Sequence, residues 1–161
     1  MTTAATTLER AGIAARVPHS GAMCLLDAVL SWTTDEIDCA IVNHADPHHP
    51  LRLHSTLPSA SALEYASQAM ALHGSLCAPA HAAPTPGFVA SARDLCLHVA
   101  RLDDAPGPLH VRASRLAGAT SQAMYRFEVH DGHERLLVEG RATVVLNAAP
   151  ATVPGPPGVP R

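Results

Sequence analysis

Lysine is missing from this chain, and all eleven strong cations are arginine. That absence is one of composition and carries no chemical weight. Aromatic residues make up only 3%, against 47% hydrophobic residues that are mostly Ala, Leu and Val. The core must therefore be aliphatic and closely packed around small side chains. No basic run occurs and the net charge is −3, so no nucleic-acid partner is expected. Cys24, Cys39, Cys77 and Cys96 form no C-x-x-C pair and sit in apolar runs. They read as buried thiols in a reducing compartment, not as a metal site or a disulfide frame. Residues 1–16 lack an apolar stretch of signal-peptide length, and no run approaches transmembrane length. The expectation is a cytoplasmic protein with no membrane insertion.

What is present centres on Leu57–Ala78, LPSASALEYASQAMALHGSLCA. From Ala60 to Leu76 this reads as one helix of small and apolar residues in which Glu64 is the only acid. A surface helix carries a wide charged face, and this one has none, so it is expected to be covered on most sides. A carboxylate placed there is costly unless paired, hydrogen-bonded or protonated, which makes Glu64 the first functional candidate. Ser59 or Ser61 is positioned to cap the helix after Pro58, and the helix must end before Pro79.

Strand signals surround it. Residues 1–15 are weakly patterned and read as a loose arm. Ala28–Trp32 and Ile37–Asn43 are expected to pair as strands across a polar turn. His44–Leu57 is a loop with four histidines, His44, His48, His49 and His54. After the Pro/Ala linker Pro79–Pro86, a period of two returns in Gly87–Val99, Leu109–Leu116, Ala123–His130 and Leu136–Leu146. Asp131-Gly132 joins the last two as a hairpin. Ala148–Arg161 is proline-rich and reads as a disordered tail, leaving a single domain over residues 16–147. Two strands, one long buried helix and four strands with short connections predict an α+β hotdog fold, an antiparallel sheet wrapped around one long central helix.

With these segments the chain resembles the beta-hydroxyacyl-acyl carrier protein dehydratases, and most closely the dehydratase-like proteins of aryl polyene and xanthomonadin-type pathways. VPHSGAMCLLDAVLSW, ALEYASQAMALHG, GFVASARDLCLHV and LLVEGRATVVL carry the resemblance, which spans Arg16 to Asn147. It implies a homodimer with a continuous sheet, or a mixed oligomer with a second dehydratase, and an acyl tunnel at the subunit interface. The implied substrate is a thioester of acyl carrier protein or coenzyme A, and no cofactor or metal is implied. The family's site joins a histidine from the loop before the helix to an acid from the helix of the other subunit. The acid corresponds to Glu64 and a neighbouring glutamine to Gln68, one helical turn on. Substrate contacts are implied for Pro58, Ala62, Leu63 and Gln68 around the helix start.

The family's Gly-His-Phe-Pro motif is missing, and His44, His49 and His54 each answer a different way of aligning the base. Ala62 also replaces the glycine usual before the Leu-Glu pair. His19 reads as a residue packing its turn. His73, nine residues after Glu64, faces roughly the opposite side of the helix. A metal set from Asp46, His48 and His49 has no second cluster to complete it. Arg93 and Arg101, with Arg112 and Arg115, are candidates to receive an acidic carrier protein, or are simply a charged sheet face.

Dehydrating a 3-hydroxyacyl thioester needs a base for the C2 proton and an acid for the C3 hydroxyl. It also needs donors on the thioester oxygen. A neutral histidine, a carboxyl in an apolar pocket and a helix N-terminus suit these roles in turn. Two rival readings stand beside the dehydratase. One is an acyl thioesterase using Glu64 alone. The other is a degenerate hotdog subunit that binds an acyl chain or stabilises an active partner; separately, Glu64 also reads as a structural acid pairing with an arginine across the dimer.

Overall fold

The computed structural model describes residues 8–80, 87–119 and 121–146. The first half of the N-terminal arm, most of the Pro/Ala linker and the proline-rich tail lie outside the described residues. The elements are β1 (Leu8–Glu9), α1 (Arg10–Ala14), β2 (Ala28–Trp32), β3 (Glu36–Ile41), α2 (Ala62–Cys77), β4 (Gly87–Leu97), β5 (Leu109–Gly118), β6 (Gln122–His130) and β7 (Leu136–Leu146). They build one seven-stranded sheet in the order β1-β2-β3-β5-β6-β7-β4. Every described pairing is antiparallel. The sheet curls around α2 to form the hotdog architecture that the pattern of strands and helix predicted.

The alternating strands explain the two faces. On β5 and β6, Val111, Ala113, Tyr125, Phe127 and Val129 turn inward and are buried. Arg112, Ser114, Arg126 and Glu128 turn outward between them. α2 fills the inside with Ala62, Tyr65, Ala66, Ala69, Met70 and Leu72, all buried. Three alanines in that set let the curled sheet approach the helix backbone closely, which accounts for the small-residue composition.

Three details differ from the sequence reading. A seventh strand, β1, pairs Leu8 with Val29 and Glu9 with Ala28, and Ile13 of α1 is fully buried beside it. Two residues are too few to show a period of two, so the pattern could not reveal this strand. A 3₁₀ turn over Ser59–Ser61 precedes α2, and neither serine caps it. The Ser59 N–H instead donates to Ala100 O over 3.1 Å. Of the cysteines, Cys24 and Cys39 are buried, and burial pushes the Cys39 thiol up to about 12. Cys77 is half-buried and Cys96 exposed, because β4 is an edge strand with little packed on it. Among the described residues, no helix is long and apolar enough to cross a membrane.

Candidate active site

The start of α2 is fixed from below by one acid. Asp103 Oδ1 accepts the Leu57 N–H over 3.0 Å, and its other oxygen accepts from Arg52 over 3.2 Å. Arg101 also hydrogen-bonds both Asp103 oxygens and holds that carboxyl well below the usual range. The Leu102 N–H donates to Leu57 O over 2.9 Å, and Pro58 bridges to Arg101. The helix therefore enters the sheet at a set height, and Glu64 falls in its first turn.

Glu64 and Gln68 lie four residues apart and share a face of α2. Gln68 is completely buried, and its amide is spent on three bonds. Its carbonyl oxygen accepts the Leu25 N–H over 2.9 Å. Its NH2 group donates to Met23 O over 2.7 Å and to Glu64 Oε1 over 3.1 Å. The expectation for Gln68 was a substrate contact; the structure gives it the task of joining the 21–26 segment to Glu64. Ala62 is likewise fully buried, while Leu63 and Pro58 remain partly accessible.

The histidine at Glu64 is His19. Its Nε2 lies 3.0 Å from Glu64 Oε1, with both side chains about one-third exposed at 30% and 32%. The sequence reads His19 as a packing residue of its turn, and the structure places it against the acid instead. The signal for more was its place in the PHSGAMCLLD segment, whose Met23–Leu25 backbone Gln68 binds. The carboxylate is also not enclosed in apolar walls: Glu64 opens to solvent beside an imidazole and an amide.

Within one chain two of the loop histidines, His44 and His49, are engaged elsewhere. His44 is buried with Nε2 3.0 Å from Ala105 O. His49 is buried too; its Nδ1 accepts the Leu51 N–H over 3.2 Å, and its Nε2 lies 2.9 Å from the Tyr65 hydroxyl. Burial lowers the His49 pKa below its ordinary value and raises that of the Tyr65 phenol. His54 is exposed on the loop surface. Of the two candidate docking arginines, Arg101 is committed to Asp103, while Arg93 is exposed on β4 opposite Arg141.

His73 lies on the far side of α2, where the helical spacing puts it. Its Nε2 is 2.9 Å from Thr33 O and its Nδ1 2.9 Å from the Tyr125 hydroxyl. A carbonyl only accepts, so Nε2 carries the proton and Nδ1 accepts from Tyr125. Arg115 donates to the same hydroxyl over 3.2 Å, completing a relay of consistent polarity. This cluster stands apart from Glu64 and serves to close the sheet on the helix.

The comparisons agree with this architecture. A family model described as ApeP-like (ApeP dehydratase) matches residues 11–153. The dehydratase heterocomplex ApeI:P from Xenorhabdus doucetiae contains a chain with a TM-score of 0.73 and 19% identity, covering 83% of this chain and 90% of that one. AziG from S. sahachiroi follows at 0.56 and 14% identity, with coverages of 73% and 88%. The thioesterase HI1161 from Haemophilus influenzae aligns at 0.54 and 15% identity, with coverages of 76% and 80%. Among curated protein sequences, none matches the chain. The structural likenesses establish the shared fold, and the family match extends over nearly the whole described domain: the chain belongs to the ApeP-like family of dehydratases.

Proposed function

We propose that the protein removes water from a 3-hydroxyacyl thioester to give a trans-2-enoyl thioester, with Glu64 as the acid. The observation that carries this reading is the state of the Glu64 carboxyl. Oε1 faces two nitrogens, from Gln68 and His19, while Oε2 has no hydrogen-bond partner among the described residues. A proton on the carboxyl then belongs on Oε2, the oxygen free to face a substrate hydroxyl. A base takes the C2 proton, electrons move to form the C2–C3 double bond, and the C3 hydroxyl leaves as water with the Oε2 proton. The dipole of the α2 N-terminus favours the negative charge that builds on a thioester oxygen placed there. No cofactor is needed for this step.

The base is assigned to the loop of a second subunit, with His44, His49 and His54 as the candidates. The β4 edge supports a second subunit. Among the described residues it is an unpaired edge of eleven residues with Phe88, Leu95 and Leu97 exposed, a surface that single soluble domains usually cover. A second copy or a related dehydratase subunit continuing the sheet there would cover it; the Xenorhabdus relative is itself a heterocomplex. Acyl-carrier-protein delivery, with Arg93 near the docking face, and a role in a cytoplasmic polyene pathway complete the reading.

The test offers purified protein, alone and with its partner subunit, a 3-hydroxyacyl carrier-protein thioester and follows intact mass. Loss of one water supports the dehydratase. Release of the free carrier thiol points to the thioesterase reading, which is favoured by the engagement of His44 and His49 elsewhere. An unchanged substrate in both settings leaves only the acyl-binding or partner-stabilising role.

A further inference from the structure

The contact at Glu64 Oε1 brings a distant segment of the same chain into the site. We propose that His19 is a positioning residue for Glu64, supplied in cis, so that each chain carries both the acid and the group that holds it. The proposal deepens the dehydratase reading and rests on it. It adds an in-chain histidine to the base histidine that the reading takes from a second subunit.

Three observations support it. First, Gln68 Nε2 donates to Glu64 Oε1 over 3.1 Å and His19 Nε2 stands in ion-pair contact with the same oxygen at 3.0 Å, so both partners sit on one side of the carboxyl. Second, the segment that presents His19 is rigidly anchored. Gln68 binds Met23 O and Leu25 N, and Arg10 binds Cys24 O over 2.8 Å and Asp27 Oδ1 over 2.7 Å. Asp27 Oδ2 in turn accepts the Val42 N–H over 2.8 Å, and Cys24, Leu25 and Leu26 are buried in the core. Third, the other ring nitrogen, Nδ1, is enclosed without a partner. Among the described residues the carboxyl is therefore the one polar contact of the ring, and no competing acceptor draws it away.

The consequence is orientational. A carboxyl held at one oxygen keeps the other aimed at the substrate; released, it rotates and spends much of its time unproductively. A misplacement of that kind costs up to about 10²-fold in rate. His19 acts through Glu64 and does not touch the reacting atoms, so substrate affinity should change little.

The test compares His19→Phe and His19→Gln in the full chain with its partner subunit. The Phe variant should lose about 10- to 100-fold in kcat with KM nearly unchanged, and the Gln variant, which keeps an N–H donor, should recover most of that loss. Unchanged kcat in the Phe variant overturns the proposal, as does equal loss in both variants. In a homodimer, mixing His19→Phe with Glu64→Gln subunits should restore nothing, because each site keeps one defect; restored activity would place the histidine in trans and sink the idea. A readout without turnover separates this from the reading beneath it. The His19 ring nitrogen resonances should shift on Glu64→Gln even if the wild type removes no water from any thioester offered. Unmoved resonances overturn the contact itself, whereas an inactive wild type with shifted resonances removes only the dehydratase reading.

Discussion

Gln68 donates to Glu64 Oε1 over 3.1 Å while its own carbonyl accepts the Leu25 N–H, so one buried amide ties the acid to the chain segment beside it. The helical spacing brings the two side chains together, and burial keeps the amide from turning over. A flipped amide would set its oxygen against Glu64 and Met23 O and its nitrogen against a backbone donor.

Replacing Gln68 should therefore cost more than one ordinary hydrogen bond. Gln68→Leu strands the Leu25 N–H and Met23 O in the core, and each unsatisfied group costs about 1–3 kcal/mol. The expected loss in urea unfolding is about 2–4 kcal/mol, with an unchanged m value. A variant within experimental error of the wild type would mean that water replaces the amide.

His73 gives the fold an acid sensitivity. Burial holds its folded-state pKa below the ordinary 6.5; the nearby Arg115 adds to that and the Thr33 carbonyl opposes it. Below that pH the unfolded chain binds a proton that the folded chain refuses. Stability is thus highest above 6.5 and falls as the pH drops through it, by up to about 1.4 kcal/mol per pH unit for one such proton. The loss levels off once the pH passes the folded value. His49, also lowered by burial, adds to the same slope. Urea unfolding across about pH 5 to 7.5 should show the slope, and His73→Gln should reduce it; an identical slope in that variant would assign the proton elsewhere.

Two glycines make opposite predictions. A Cβ on Gly132 would stand 2.8 Å from Gly107 Cα and 3.0 Å from Pro106 O, both backbone atoms. Gly132→Ala must push two loops apart and should destabilise by about 1–3 kcal/mol. Gly74 lies inside α2 with nothing within 4 Å of such a Cβ. Gly74→Ala should stabilise by about 0.5–1 kcal/mol through the cost of ordering glycine in a helix. Paired thermal melts of the two variants check both signs.

The sequence revealed the long elements because their periods are long. β2 and β7 run over the expected residues, and the Glu64–Gln68 pair follows from helical spacing alone. What it concealed were contacts between residues far apart along the chain. His19 meets Glu64 only after the 21–26 segment is drawn onto α2 by Gln68. His44 and His49 look free in a histidine-rich loop until Ala105 O and the Tyr65 hydroxyl arrive from other elements. Cys96 reads as buried because its neighbours are apolar, yet an edge strand exposes apolar residues when no partner covers it. Periodicity reports which face a residue takes, not which distant group meets it there.

The central claim is that Glu64 gives up the proton that leaves with the hydroxyl. The most direct measurement is the rate of water loss from a 3-hydroxyacyl carrier-protein thioester, followed by intact mass for wild type and Glu64→Gln side by side. Glutamine fits the same half-exposed position, so the variant should keep its stability within about 0.5 kcal/mol. Its rate should fall by about 10²-fold or more, the usual contribution of a positioned general acid. A folded Glu64→Gln protein that releases water at the wild-type rate would contradict the account.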